Sequence, residues 1–239
     1  MPDESGRGLT GFLSRLGSRR APESPVAPAT IQPPASTADW PAQPTKALKK
    51  FLGTLATLDA PVLLDLGPVV GSNLTFFGET LGCKVFIEDL YADLERHVRT
   101  GATPDLAAFF SKRLGQPAGS IDGILAWDLI DYLDAPAAQA LAIQLTRLLK
   151  TNGALLGFFS TAPTRGELHY TKFVIADEHN LRHRQYPASR GRQRVLQNRD
   201  IIRLFDGLRV SDSFLLQTNL REILFRKPAY LTSSKGPSA

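Results

Sequence analysis

Between Pro61 and Asp93 the chain runs through an apolar stretch, a glycine-bearing turn, a short helix-forming segment, a second apolar stretch and a pair of acids. Few folds accept that order. Val62-Leu63-Leu64-Asp65-Leu66 is too short for a helix and is followed at once by Gly67-Pro68, so it reads as a strand buried on both faces, as a parallel sheet requires. Ser72 or Asn73 can cap the helix that follows, over Leu74 to Leu81, and Gly82 ends it. The next strand, Val85-Phe86-Ile87, stops at Glu88-Asp89. Strand, helix and parallel strand in this order require a right-handed crossover, which commits the chain to an α/β fold.

The alternation continues downstream. Asp93 to Arg99 predicts a short helix, and Leu106 to Phe110 is an apolar run that suits strand or helix. Ile121 to Trp127 reads as a strand, Ala135 to Leu149 as a long helix stopped by Asn152-Gly153, and Ala154 to Phe159 as another buried strand. After Ser160 the pattern changes. His169 to Ala176 and Leu181 to Tyr186 look like two arms of a hairpin, within an insertion over about 163–197. A helix over Arg199 to Phe205, capped by Asn198, precedes two strands, Leu208 to Leu216 and Leu220 to Phe225.

Upstream, Thr45 starts an amphipathic helix with Lys46, Lys49 and Lys50 on its wet side. Residues 1–44 carry eight of the 17 prolines among Ala, Ser and Thr, and read as a disordered tail. Within it Leu9, Phe12, Leu13 and Leu16 recur at helical spacing among arginines. That pattern suits either a basic amphipathic helix touching a membrane or a partner, or a transient helix in a tail. Residues 45–228 form the folded domain, and 229–239 a flexible C-terminal tail.

With 43% hydrophobic and 21% charged residues, the composition is that of a globular domain. A lone cysteine, Cys83, excludes an internal disulfide framework. No secretion signal and no 18-residue apolar run is present, so a cytoplasmic protein is expected. The net charge of +5 is modest, and its placement says more. Arg182, Arg184, Arg190, Arg192, Arg194, Arg199 and Arg203 crowd the segment after the fifth strand. Such guanidinium forks suit a phosphate or carboxylate substrate or an RNA backbone, and equally a solvated face. Arg182, Arg184, Arg192 and Arg194 are the substrate-side candidates. His179 and His183 lack a third spaced ligand, so they read as exposed loop histidines and no metal site is expected.

The glycine turn carries the chemistry. Gly67 lets the backbone turn and a ligand approach, the next helix offers unpaired N–H groups, and an acid ending the second strand can accept from both hydroxyls of a ribose. Glu88 and Asp89 lie 21 and 22 residues after Gly67. A nicotinamide-binding turn needs Gly-x-Gly-x-x-Gly, but positions 69 and 72 are Val and Ser, and no P-loop occurs. In these residues the chain resembles the class I S-adenosylmethionine-dependent methyltransferases, whose first motif is acid-x-Gly-x-Gly-x-Gly. Asp65, Gly67 and Gly71 match it, and Val69 replaces the middle glycine. Asp89 aligns with the family's ribose-binding acid, with Glu88 its neighbour. Ser120 to Asp128 is similar to the family's fourth-strand segment, and Leu149 to Leu156 to its turn into the fifth.

The resemblance covers residues 47–228. It implies a three-layer α/β Rossmann-like fold whose seven-stranded, mostly parallel sheet has the order 3-2-1-4-5-7-6, with strand 7 antiparallel. It implies S-adenosyl-L-methionine as cofactor, bound by Asp65, Gly67, Gly71, Glu88, Asp89, Trp127 and Asp128. The third-strand region, Leu106 to Arg113, ends in Ser111-Lys112-Arg113 where the family often has an adenine-holding acid. Catalytic candidates follow the fourth strand: Asp128, Asp131 and Tyr132, each of which also reads as a packing or capping residue, as Asp134 does before Ala135-Pro136. The acceptor is unknown. Asn-Pro-Pro-Tyr, carried by family members that methylate nucleic-acid and protein nitrogens, is absent. Two other readings stand beside methyl transfer: a Rossmann-like binding or scaffold domain that keeps the fold without the ligand, and a nucleic-acid-associated module using the arginines.

Overall fold

A computed structural model describes residues 40–101, 105–163 and 168–229. Its centre is a six-stranded sheet in the order β3-β2-β4-β5-β9-β8. These strands are β2 (Val62–Asp65), β3 (Lys84–Ile87), β4 (Ile121–Trp127), β5 (Leu149–Ser160), β8 (Arg209–Leu215) and β9 (Leu220–Arg226). β3, β2, β4 and β5 pair in parallel, while β9 runs antiparallel to both β5 and β8. Leu64, Ile124, Leu155 and Ile223 point to one face, where helices α3 (Leu90–Thr100), α4 (Leu106–Arg113), α5 (Ala135–Leu148) and α6 (Asn198–Leu204) contribute Leu94, Phe110, Leu141 and Ile201. Leu63, Leu125, Leu156 and Leu224 point to the other, under Phe51 and Leu55 of α1 (Ala47–Leu55). Burial on both faces explains why these strands read as unbroken apolar runs. α1 lies so close to β4 that a Cβ on Gly123 would meet Leu55 Cδ2 at 2.9 Å and Phe51 Cζ at 3.0 Å.

Six of the seven expected strands are present in the expected relative order. The third is not: Leu106–Arg113 is helix α4, and β3 is the edge of the sheet among the described residues. The cause is local. Asp105 caps the segment, accepting from Ala107 N at 3.0 Å and Ala108 N at 3.2 Å, and the two alanines favour helix. Phe110 is buried, and Arg113 reaches back to Asp93 on α3.

The tail ends earlier than the sequence predicts. Residues 1–39, with the Leu9–Leu16 pattern, lie outside the described residues. Ala42–Pro44, assigned to the tail, forms β1 and pairs antiparallel with β7 (Asn180–Pro187), which pairs in turn with β6 (His169–Asp177). This second sheet contains the expected hairpin. Its reversal is fixed by Asp177, whose carboxylate accepts from His179 N at 2.7 Å and Asn180 Nδ2 at 3.0 Å. Those donors favour the charged form and hold its pKa below the usual value.

The turn after β2 enters α2 (Gly71–Thr75), which continues as a π-helical turn over Phe76–Thr80. Neither Ser72 nor Asn73 caps it; Val70 takes that position without a side-chain bond. Asn73 is buried and instead clamps β6, donating to Phe173 O at 3.0 Å and accepting from Ile175 N at 2.9 Å. The small sheet is thereby fixed across the carboxyl ends of the main strands. No helix of the described residues is long and apolar enough to cross a membrane.

One structural carboxylate escapes any sequence reading. Glu222 on β9 is 1% exposed, and its Oε2 accepts from Lys46 N and Ala47 N at 2.8 Å each, capping α1 from 175 residues away. Glu222→Ala strands two donors at a helix N-terminus, so a loss of about 3 kcal/mol is expected. Chemical denaturation measures it, and Glu222→Gln, which keeps one accepting oxygen, is expected to lose less.

Candidate functional site

The carboxyl ends of β2, β3, β4 and β5 bring most of the sequence candidates together. Asp65, at the end of β2, is 5% exposed; its Oδ1 accepts from Gly67 N at 2.9 Å and Trp127 Nε1 at 2.6 Å. Burial pushes its pKa up to about 6, against those two donors, which favour the charged form. Trp127 ends β4 with φ of 48°, a left-handed conformation that is costly for a bulky side chain. Its indole stacks on Phe173 of β6 with centroids 5.2 Å apart and planes 4° apart, and meets Phe158 edge-on. A Cβ on Gly67 would come within 2.6 Å of this indole. The glycine face of the turn is therefore covered by Trp127. Gly71 has open space where a Cβ would be, and Val69 is 57% exposed.

The two acids after β3 have separate partners. Glu88 pairs with Arg113 and accepts from Gln116 Nε2 at 2.9 Å. Asp89 caps α3, its Oδ1 accepting from Ala92 N at 2.9 Å, while its second oxygen has no hydrogen-bond partner among the described residues. Of the pair, Asp89 keeps an accepting oxygen for a ligand.

The segment after β4 is a buried polar cluster. Asp128 is fully buried, hydrogen-bonded by the Tyr91 hydroxyl and ion-paired with Arg192 Nη2 at 2.9 Å. The Tyr132 hydroxyl donates to His169 O at 3.0 Å. Asp131, also fully buried, accepts from Ser160 N at 2.7 Å through Oδ2, and its Oδ1 has no partner. Burial pushes its pKa up to about 8; the Asp128 charge adds to this, while the Ser160 N–H and Arg192 oppose it. Arg192 Nε lies 3.8 Å from Asp131 Oδ2, too far for a hydrogen bond. Asp134 caps α5 through Ala137 N at 3.0 Å.

The arginines disperse: Arg182 and Arg184 share one face of β7, and Arg190, Arg192 and Arg194 follow that strand. Arg182 donates to Trp40 O at 2.9 Å, and Arg184 sits over the Trp40 and Tyr186 rings at 5.3 Å from each centroid. Arg190 donates to Tyr132 O at 2.7 Å. Of the four substrate-side candidates, Arg192 and Arg194 line cavities among the described residues. A space of about 300 Å³ is lined by Ser160, His169, Thr171, His183, Gln185 and Arg192. Another of about 190 Å³ adjoins it, sharing Ser160, Ala162, Pro163 and Arg192 and adding Arg194. His183 is a correction to the sequence reading: it lies on β7, edge-on to Phe173 at 5.0 Å. Desolvation lowers its pKa, so it is neutral at pH 7. The signal for it was the strand alternation, which places His183 and Gln185 on the face opposite Arg182 and Arg184.

The order β3-β2-β4-β5-β9-β8, with β9 alone reversed, is the order expected from the sequence without its third strand. The fold is Rossmann-like. No family model matches the chain, and no curated protein does. Among solved structures it is similar to an S-adenosylmethionine-dependent methyltransferase from Clostridium acetobutylicum (14% identity, 76% of this chain and 92% of that one, TM-score 0.47). It is also similar to the 1,6-didemethyltoxoflavin-N1-methyltransferase of Burkholderia thailandensis (15%, 77% and 79%, 0.43) and to the [4+2]-cyclase SpnF (11%, 76% and 80%, 0.45). At such identities and TM-scores the likeness decides neither ligand nor reaction.

The two raised carboxyls set a pH dependence. A folded-state pKa above the unfolded value of about 4 means the folded chain binds more protons, so stability falls as pH rises through about 6 for Asp65 and about 8 for Asp131. Asp131→Asn, which keeps an oxygen for Ser160 N, is expected to flatten the decline between about pH 4 and 8. Unfolding midpoints measured across that range check it.

Proposed function

We propose that the protein is an S-adenosylmethionine-dependent methyltransferase whose acceptor lies in the cleft between β5 and the β6–β7 hairpin. The observation that carries this reading is the open oxygen of Asp89, beside a glycine turn and across the strand ends from that cleft. The chemistry of the donors fits a nucleoside cofactor: Asp89 can accept from ribose hydroxyls, and the open space at Gly71 leaves the start of α2 accessible. When bound, such a cofactor supplies an electrophilic methyl group on a sulfonium. His183, a neutral imidazole on the cavity wall, can accept the proton that an O–H or N–H acceptor gives up. Asp128 holds Arg192 against that wall by the 2.9 Å ion pair, which makes it a positioning residue.

A second reading, a domain that keeps the fold without the cofactor, is favoured by one observation: the Trp127 indole covers Gly67 and occupies the Asp65 carboxylate. Calorimetric titration with S-adenosylmethionine and S-adenosylhomocysteine separates the two. The first reading expects saturable binding that Asp89→Ala weakens at least about tenfold and Glu88→Ala leaves nearly unchanged, tenfold being about 1.4 kcal/mol. No binding up to millimolar ligand supports the second.

A further inference from the structure

Arg192 stands between the two adjoining cavities, and their walls differ in charge from the rest of the site. Among the described residues neither lining contains a carboxylate, whereas Arg192, Arg194, His169 and His183 all contribute. Asp128 and Asp131, the acids that face Arg192, are buried. Asp128 neutralises one edge of the guanidinium, and Nε stays buried without a hydrogen-bond partner. Arg194 has no ion pair and no hydrogen bond among the described residues, although Arg182, Arg184 and Arg190 nearby are all engaged. Beside Arg192 the wall of the larger cavity carries neutral donors and acceptors, Ser160, Thr171, Gln185, Thr218 and Asn219, and Ser160 also lines the adjoining cavity that holds Arg194. A desolvated guanidinium and a free one, in two adjoining cavities whose walls carry hydroxyl and amide groups, select a small hydroxylated molecule with an oxyanion at one end.

We propose that this cleft binds a small hydroxylated carboxylate or phosphate ester, with Arg194 gripping the oxyanion and the Thr171–Gln185 wall reading the hydroxyls. As the identity of the methyl acceptor it rests on the proposed function, but anion binding itself needs no cofactor, so the two fail separately. Glycerol 3-phosphate, gluconate and neutral glycerol are titrated into the full chain without cofactor, by calorimetry and thermal shift. At least one of the two anions is expected to bind, with affinity falling as salt rises, and glycerol is not. Preference for glycerol 3-phosphate assigns the phosphate source, preference for gluconate the carboxylate. Arg194→Gln, an exposed change, is expected to weaken binding about tenfold, and Arg199→Gln, exposed beside Asp200 and outside both cavities, to leave it unchanged. Absence of binding by both anions, glycerol binding as tightly, or an Arg194→Gln protein that binds like the parent would each overturn the proposal.

Discussion

Replacing Asp128 by alanine is expected to cost about 3–5 kcal/mol, because it leaves a buried guanidinium without its counter-charge and the Tyr91 hydroxyl without its acceptor. For a domain of this size that corresponds to a fall of roughly 10 °C in the unfolding midpoint. The attraction between Asp128 and Arg192 is offset by the desolvation of both, so removing the pair together is far less harmful than removing one member. Asp128→Ala combined with Arg192→Met is expected to recover about half of the loss, a non-additivity that only direct coupling produces. A double mutant whose loss equals the sum of the single losses would contradict the buried pair. Asp128→Asn, which keeps an oxygen for Tyr91, should fall between parent and Asp128→Ala.

The second large effect concerns Trp127. Trp127→Ala removes the stack on Phe173, the edge contact with Phe158 and the donor to Asp65, and leaves a void beneath the small sheet. A loss of about 3–5 kcal/mol is expected, reduced by whatever strain the left-handed backbone at Trp127 holds. The same change uncovers Gly67. S-adenosylhomocysteine is therefore expected to bind Trp127→Ala at least about tenfold more tightly than the parent, a variant that is less stable alone and gains more from ligand. Trp127→Phe keeps much of the ring contact but loses the 2.6 Å bond to Asp65, and should show a smaller gain. Equal affinities across the three proteins would mean that the indole does not stand in the ligand's way.

The centre of the sheet was legible because burial on both faces writes itself as short apolar runs, and β2, β4 and β5 carry that signature. Leu106–Arg113 was not, because its apolar residues suit either element and the deciding group, the Asp105 cap, is a single side chain outside the run. β1 was missed for a related reason: three residues, the last of them a proline and another proline just before them, hold no period, and only β7 gives them a ladder. In the site, the glycine turn and its acids were readable from spacing. Their present partners were not. Trp127 reaches Asp65 across 62 residues, Arg192 reaches Asp128 across 64, and Glu222 caps α1 across 175. Such long-range pairings are fixed by topology, and no local pattern announces them. Asp89 shows both sides: its place after the second strand suggested an acceptor for a ligand, and only the structure reveals that the same carboxylate caps α3.

The chain contains two tryptophans, so Trp40→Phe leaves Trp127 as the sole indole and makes it a reporter of its own position. Fluorescence of that protein, titrated with S-adenosylhomocysteine, tests the cofactor site most directly. Bound ligand at the glycine turn has to displace an indole that is 3% exposed, so a saturable red shift is predicted, lost in the additional Asp89→Ala variant. Emission that stays unchanged up to millimolar S-adenosylhomocysteine would contradict a methyltransferase whose cofactor cleft lies between β2 and β3.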